Sequence, residues 1–353
     1  GIAWSAHVIW RRSDFRAEPA RTADDWLTRA YLYGGLFLTA VLLAYWLSEI
    51  LMVLSSEVVG ARARWEPWQE DIVTPIAGAV GSAVGWSANW ILALWLVRAD
   101  GPLGQAHRAS RTRIGYFLAV LLVGVAAALV LVSASLGTLL AEVLGVWQPD
   151  QGSRLVEDVA GPVLMALPFA LFAWWHGRHA LGEALAFEGP GRLEEARRST
   201  LYVVAFVGLA GSSVGTFMAA QGLIDYVGAS IEFARTEALR DLAAMGTGVA
   251  LTGLVLWIPT WRLARRDRAA DPFVVASSVP RRAYLLLVSA LAVVAAMVSL
   301  AYLAYQLMRG ILDAGPLDDA AWAVSGALVG GVVLAYHLLL LRADGTILAA
   351  QPS

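Results

Sequence analysis

Four aspartates and three histidines recur at matching places along the chain, and both types can do chemistry. Asp71, Asp158, Asp241 and Asp319 stand 87, 83 and 78 residues apart, and each opens an apolar run. A carboxylate at a helix start caps free backbone N–H groups and meets the positive end of the helix dipole, a gain of ~1 kcal/mol. Pro75 and Pro162 follow their aspartates by four residues, in a first turn where a missing donor costs least. Gathered on one membrane face, the four could also form an acidic ring that concentrates cations. His7, His176 and His337 fall near the far ends of such runs, with Asn89 and Pro259 at the corresponding count in the other copies. Histidines on facing helices could hold a haem or contact a pigment or other ligand. The plainer alternative is a polar tip snorkelling beside tryptophan. His176 and His179 lie three apart but have no third ligand nearby, so no metal site is expected.

Other chemistries are excluded more directly. The chain has no cysteine, which removes disulfides, iron–sulfur clusters and thiol catalysis. No phosphate-binding loop, dinucleotide fingerprint, nucleophile elbow or paired-histidine zinc motif occurs. The central thirds of the apolar runs hold almost no ionisable side chain, where transporters and pumps keep theirs. Glu49, Gln221 and Gln306 all come late in their runs. The expectation is a protein that is not an enzyme, with no catalytic residue and no resident cofactor.

The elements that carry these residues follow from composition. Of 353 residues 58% are hydrophobic and 15% charged, and mean hydropathy is +0.62. Soluble domains are nearer a quarter charged, so lipid is the implied solvent. Several runs reach the ~20 residues that cross a ~30 Å hydrocarbon layer as a helix. They are continuous rather than alternating, which selects helices over a barrel. The net charge of −2 argues against a nucleic-acid partner. Tyr33, Tyr116, Tyr202 and Tyr284, spaced 83, 86 and 82 apart, form a second ladder with the period of the aspartates. Two ladders of one period imply tandem helix pairs. The expected fold is all-α and integral to the membrane, with eight transmembrane helices as four parallel two-helix repeats. These occupy residues 29–100, 111–180, 198–268 and 281–345 within one bundle. Residues 1–10 read as the tail of an earlier second helix.

Every basic residue is arginine, and twenty of the 26 lie in the connectors between pairs or at the chain ends. The positive-inside rule then places those connectors and the C-terminus in the cytoplasm. Arg262, Arg265, Arg266 and Arg268 form the densest cluster, suited to anionic headgroups or a partner. Small residues four apart on the second helices, Gly81 with Gly85, Gly246 with Ala250 and Gly326 with Gly330, suit close helix packing in lipid. Most of the 15 tryptophans fall near helix ends, as in an aromatic belt.

The basic-aromatic openings (Arg29 to Tyr33, Arg198 to Tyr202, Arg282 to Tyr284) and the tryptophan-rich ends of the second helices (Trp86 to Trp95, Trp174-Trp175-His176) carry a resemblance. The chain resembles an uncharacterised bacterial family of multi-pass membrane proteins with tandem two-helix domains of unknown function. The resemblance implies the fold and no activity. The reading that results is a non-enzymatic scaffold or accessory subunit of a larger complex in the bacterial cytoplasmic (inner) membrane. Its partners are the lipid bilayer and other membrane subunits or copies of itself. The alternatives are a channel-like bundle with a path lined by Asn89, Ser87 or Thr247, and a cofactor-binding redox subunit.

Overall fold

The structure, a computed structural model, describes residues 26–59, 68–108, 110–144, 152–188, 190–228, 233–312 and 320–350. These form ten helices: α1 (Trp26–Val59), α2 (Trp68–Arg98), α3 (Gly101–Arg108), α4 (Arg111–Val143), α5 (Gly152–Glu188), α6 (Pro190–Gly228), α7 (Phe233–Ala270), α8 (Pro272–Ser277), α9 (Val279–Ile311) and α10 (Ala320–Ala349). Eight of them, all except α3 and α8, are long and apolar enough to cross a membrane. The fold is all-α because each apolar segment can satisfy its own backbone only by coiling on itself in hydrocarbon. Residues 1–10, with His7, lie outside the described residues, as does Asp319.

Two compact units emerge, one from residues 1–128 with 164–196 and the other from 129–163 with 197–353. In unit 1, α1 runs along α2 around Leu32, Leu36, Ala40, Ala93 and Leu96, with Tyr116, Phe117 and Val120 of α4 completing the core. In unit 2, α9 runs along α10, and Leu209, Ala264, Leu285 and Val288 fill the centre. Here α6 and α7 meet backbone to backbone. A Cβ at Gly215 would lie 2.1 Å from the Ala250 nitrogen, and one at Gly246 2.4 Å from that of Ala219. Such contact gathers dispersion attraction where lipid offers no hydrophobic drive. Gly85 meets only the Thr39 side chain, at 3.2 Å, and Gly81 has nothing within 4 Å.

The helices begin earlier than the aspartate ladder predicts. α5 starts at Gly152 and α7 at Phe233, so Asp158 and Asp241 sit in later turns, exposed, and cap nothing. Asp71 likewise falls inside α2, and Pro75 seven residues after its first. The cause is that the loops leading into the spans are themselves helical, so the apolar boundary and the helix boundary separate.

Candidate functional site: twin tyrosine, tryptophan and histidine clusters

Four helices of unit 1 converge on His176, which is 0% exposed. α1 brings Tyr33, α2 brings Trp86 and Trp90, α4 brings Tyr116, and α5 carries the histidine itself. Nδ1 of His176 lies 2.8 Å from the Phe172 carbonyl one turn earlier. A carbonyl can only accept, so Nδ1 holds the proton and Nε2 is the acceptor. The Tyr116 hydroxyl donates to that Nε2 at 2.7 Å. Trp86 and Trp90 stack at 5.7 Å, Trp90 meets Trp175 at 4.9 Å, and the Tyr33 and Tyr116 rings lie 5.9 Å apart. One turn before the tyrosine, Arg113 pairs with Glu183 of α5.

Unit 2 builds the same arrangement from α6, α7, α9 and α10. His337, 0% exposed, donates from Nδ1 to the Val333 carbonyl at 2.8 Å, and its Nε2 lies 3.5 Å from the Tyr284 hydroxyl. Tyr202 and Tyr284 stand 5.3 Å apart, and Trp257 stacks on Trp261 at 6.1 Å. The Trp261 indole N–H donates to the Tyr336 hydroxyl at 2.6 Å. Arg281, 1% exposed, donates from Nε to Asp344 at 2.5 Å and from another nitrogen to the Tyr202 hydroxyl at 3.2 Å. Arg268 adds a second guanidinium to the same carboxylate at 3.0 Å. Each cluster also buries one indole N–H beside its tyrosine, that of Trp86 at Tyr116 and that of Trp257 at Tyr284.

The two sets correspond residue by residue. An arginine stands three residues before the tyrosine (Arg113 and Tyr116, Arg281 and Tyr284), and a carboxylate seven after the histidine (His176 and Glu183, His337 and Asp344). Sequence reasoning singled out the histidines and used the tyrosines only as markers of period. It missed the ion pairs, although the two recurring spacings would have found them. Between the arginine and the tyrosine, and between the histidine and the carboxylate, lie whole helical turns, so each pair shares a face.

Residues 198–336 match a domain of unknown function, DUF5671. The DUF5671 segment takes in Tyr202, Trp257, Trp261, Tyr284 and Tyr336, and it stops one residue short of His337. The match agrees with the resemblance carried by the basic-aromatic openings, and it brings no activity with it. No curated protein and no solved structure matches the chain.

Apart from Arg268, the arginine cluster picked out by the sequence stays outside the site. Arg262, Arg265 and Arg266 are exposed on α7, whereas Arg268 is drawn in to Asp344. Nδ2 of Asn89 donates to Gly85 on its own helix at 2.9 Å, and Thr247 does the same to Ala243 at 2.7 Å. Ser87 is exposed. Among the described residues no three histidines or carboxylates gather as a metal site would need. Just outside the spans of unit 1, His107 on α3 is buried, and that burial, helped by Arg29 and Arg113, lowers its pKa to about 4. α3 itself begins at Gly101, whose φ of +75° makes the sharp break from α2 that a side chain would strain.

Proposed function

We propose that this polytopic helical protein is a non-enzymatic scaffold or accessory subunit of a larger membrane complex. The observation that carries this reading is how the chemically capable side chains are used. Both ring nitrogens of His176 are taken by Phe172 and Tyr116, and Arg281 is bound to Asp344 and Tyr202. Groups that could have served a reaction or an axial ligand instead tie helices together. Buried polar contacts of this kind fix one packing arrangement among apolar helices that could slide. Asn89 and Thr247 turn back on their own helices, which supports this reading over a path for ions.

The outer surface supports the same reading. On α9 alone Leu286, Leu287, Leu291, Val294, Met297 and Leu300 are exposed, a flank open to lipid or to other subunits. In this reading the chain is a tandem array of helix pairs in the bacterial cytoplasmic membrane. The arginine-rich connectors face the cytoplasm, where Arg262, Arg265 and Arg266 meet anionic headgroups. Native mass spectrometry of the protein, extracted from its own membranes in mild detergent, tests this. Foreign subunits in fixed stoichiometry are the expected result. A lone monomer or a homo-oligomer would sink the reading.

A further inference from the structure

We propose that this chain docks on a second copy of itself. The α9 face of Met297, Ala301 and Tyr305 seats on the neighbour's face of Leu42 on α1 and Thr74 and Ala77 on α2. The reason is that unit 2 already contains this contact, built by the equivalent residues.

Residues 129–143, the second half of α4, belong to unit 2. There they lie against α6 and α7. A Cβ at Gly248 would stand 2.6 Å from the Gly137 nitrogen and 2.9 Å from the Ser133 carbonyl, so the two backbones touch. Gly137 also faces Met245, and a Cβ at Gly211 would meet Leu129 at 2.9 Å. Leu129, Ser133 and Gly137 are all buried, and their four-residue steps put them on one face of α4. Close backbone contact of this kind joins helices in lipid, where packing replaces the hydrophobic drive.

Each side of this contact has a counterpart elsewhere in the chain that is left open. Counting on from Tyr116 and Tyr284, the α4 residues Leu129, Ser133 and Gly137 answer Met297, Ala301 and Tyr305 of α9. Counting back from Trp261 and Trp90, Met245 and Gly248 of α7 answer Thr74 and Ala77 of α2, and from the tyrosines Gly211 of α6 answers Leu42 of α1. All six counterparts are exposed, Met297 at 65% and Tyr305 at 56%. Exposure alone says little in hydrocarbon, since lipid covers any apolar side chain. What names the occupant is that these two faces are the two halves of a contact the chain already makes. Their sizes also match. In the formed contact a glycine of α4 meets the long Met245. In the open pair the bulk changes sides: Tyr305 stands on α9 opposite the smaller Thr74 and Ala77, and Gly81, four residues on, has nothing within 4 Å. Because the two faces differ, the contact is head-to-tail, and a few copies can close it into a ring. This inference goes beyond the scaffold reading and stands apart from it.

The chain has no cysteine, so introduced thiols report without background. Two differently tagged full-length chains, one with Ala77→Cys and one with Ala301→Cys, are made together and oxidised in their own membranes. A disulfide-linked dimer carrying both tags is expected, at least tenfold more abundant than when Leu300→Cys, on the next face of α9, replaces Ala301→Cys. No linkage, equal linkage through Leu300→Cys, or linkage only between like variants would overturn the proposal. Native mass spectrometry in mild detergent gives a second reading. The wild type should carry two or more copies per particle. Gly81→Trp, which adds bulk where the fold leaves open space, should carry one, and multiple copies of that variant would equally overturn the docking. The same spectra keep the two readings apart. Several copies with foreign subunits uphold both, copies alone uphold only this one, and a single copy with foreign subunits overturns this one and leaves the scaffold.

Discussion

In unit 1 the Tyr116 hydroxyl reaches His176 at 2.7 Å, while in unit 2 Tyr284 stands 3.5 Å from His337. The ion pairs change in the opposite sense. Arg113 has Glu183, whereas Asp344 draws in Arg281 and Arg268 together and Arg281 also holds Tyr202. One layout of residues thus gives unit 1 the shorter tyrosine–histidine bond and unit 2 the larger gathering of guanidiniums on its carboxylate. Repeating a set of residue types within one chain does not repeat every contact they make.

The sharpest way to break the comparison is at the carboxylates. Asp344→Asn should cost about 3–5 kcal/mol, because it leaves the 1%-exposed Arg281 as an uncompensated buried charge. Glu183→Gln should cost less, since Glu183 is the more exposed of the two acids. Reversible unfolding in mixed micelles measures both, and equal losses would show that the extra contacts of Asp344 add nothing.

Acid should open α3 of unit 1 through His107. His107 is neutral in the fold, with a pKa of about 4 against an ordinary 6.5. The unfolded chain therefore binds the proton first. The stability tied to this group is whole above pH 6.5 and is lost as pH falls from 6.5 to about 4. Each tenfold difference in proton affinity between the folded and unfolded chain is worth ~1.4 kcal/mol, so the loss reaches about 3 kcal/mol. Hydrogen exchange, corrected for its intrinsic pH dependence, should show α3 opening over that range while α8, which has no histidine, stays protected. His107→Gln should flatten the response.

The helix contacts should differ next. Gly246→Val forces a side chain into the backbone of α6 and should cost about 1–3 kcal/mol. Gly81→Ala in unit 1, with open space around it, should stay within about 0.5 kcal/mol. At the histidines themselves the effect should be smaller than at Gly246. His176→Phe strands the Tyr116 hydroxyl and should cost about 1–2 kcal/mol, with His337→Phe costing less because its bond is longer. Identical melting shifts for the two variants would erase the distinction between the units.

Much of this was legible in the sequence. Eight long apolar runs and their helical state follow from one physical constraint, that a chain in hydrocarbon must satisfy its backbone locally. The tyrosine ladder and the matching histidines also marked the places where the clusters form. The helix starts were less legible. Asp158 and Asp241 look like caps because they open the apolar runs, but the polar residues before them continue the helix, and hydropathy does not register that. The ion pairs were harder to read, because Arg113 and Glu183 sit at opposite ends of a helix pair in sequence and only the recurring spacings link them.

One repeated phrase separates what the chain determines by itself from what packing decides. Arg-Ala-Asp-Gly occurs at 98–101 and again at 342–345, and in both places the sequence says that an apolar span ends with a positive charge. At the first, α2 stops, the chain turns at Gly101 with φ of +75°, and Asp100 is exposed. At the second, α10 continues through Gly345 to Ala349, and Asp344 is buried against Arg281 and Arg268. The four residues are the same; the guanidiniums facing Asp344 hold that carboxylate inside the helix bundle, and nothing local to the tetrapeptide encodes them.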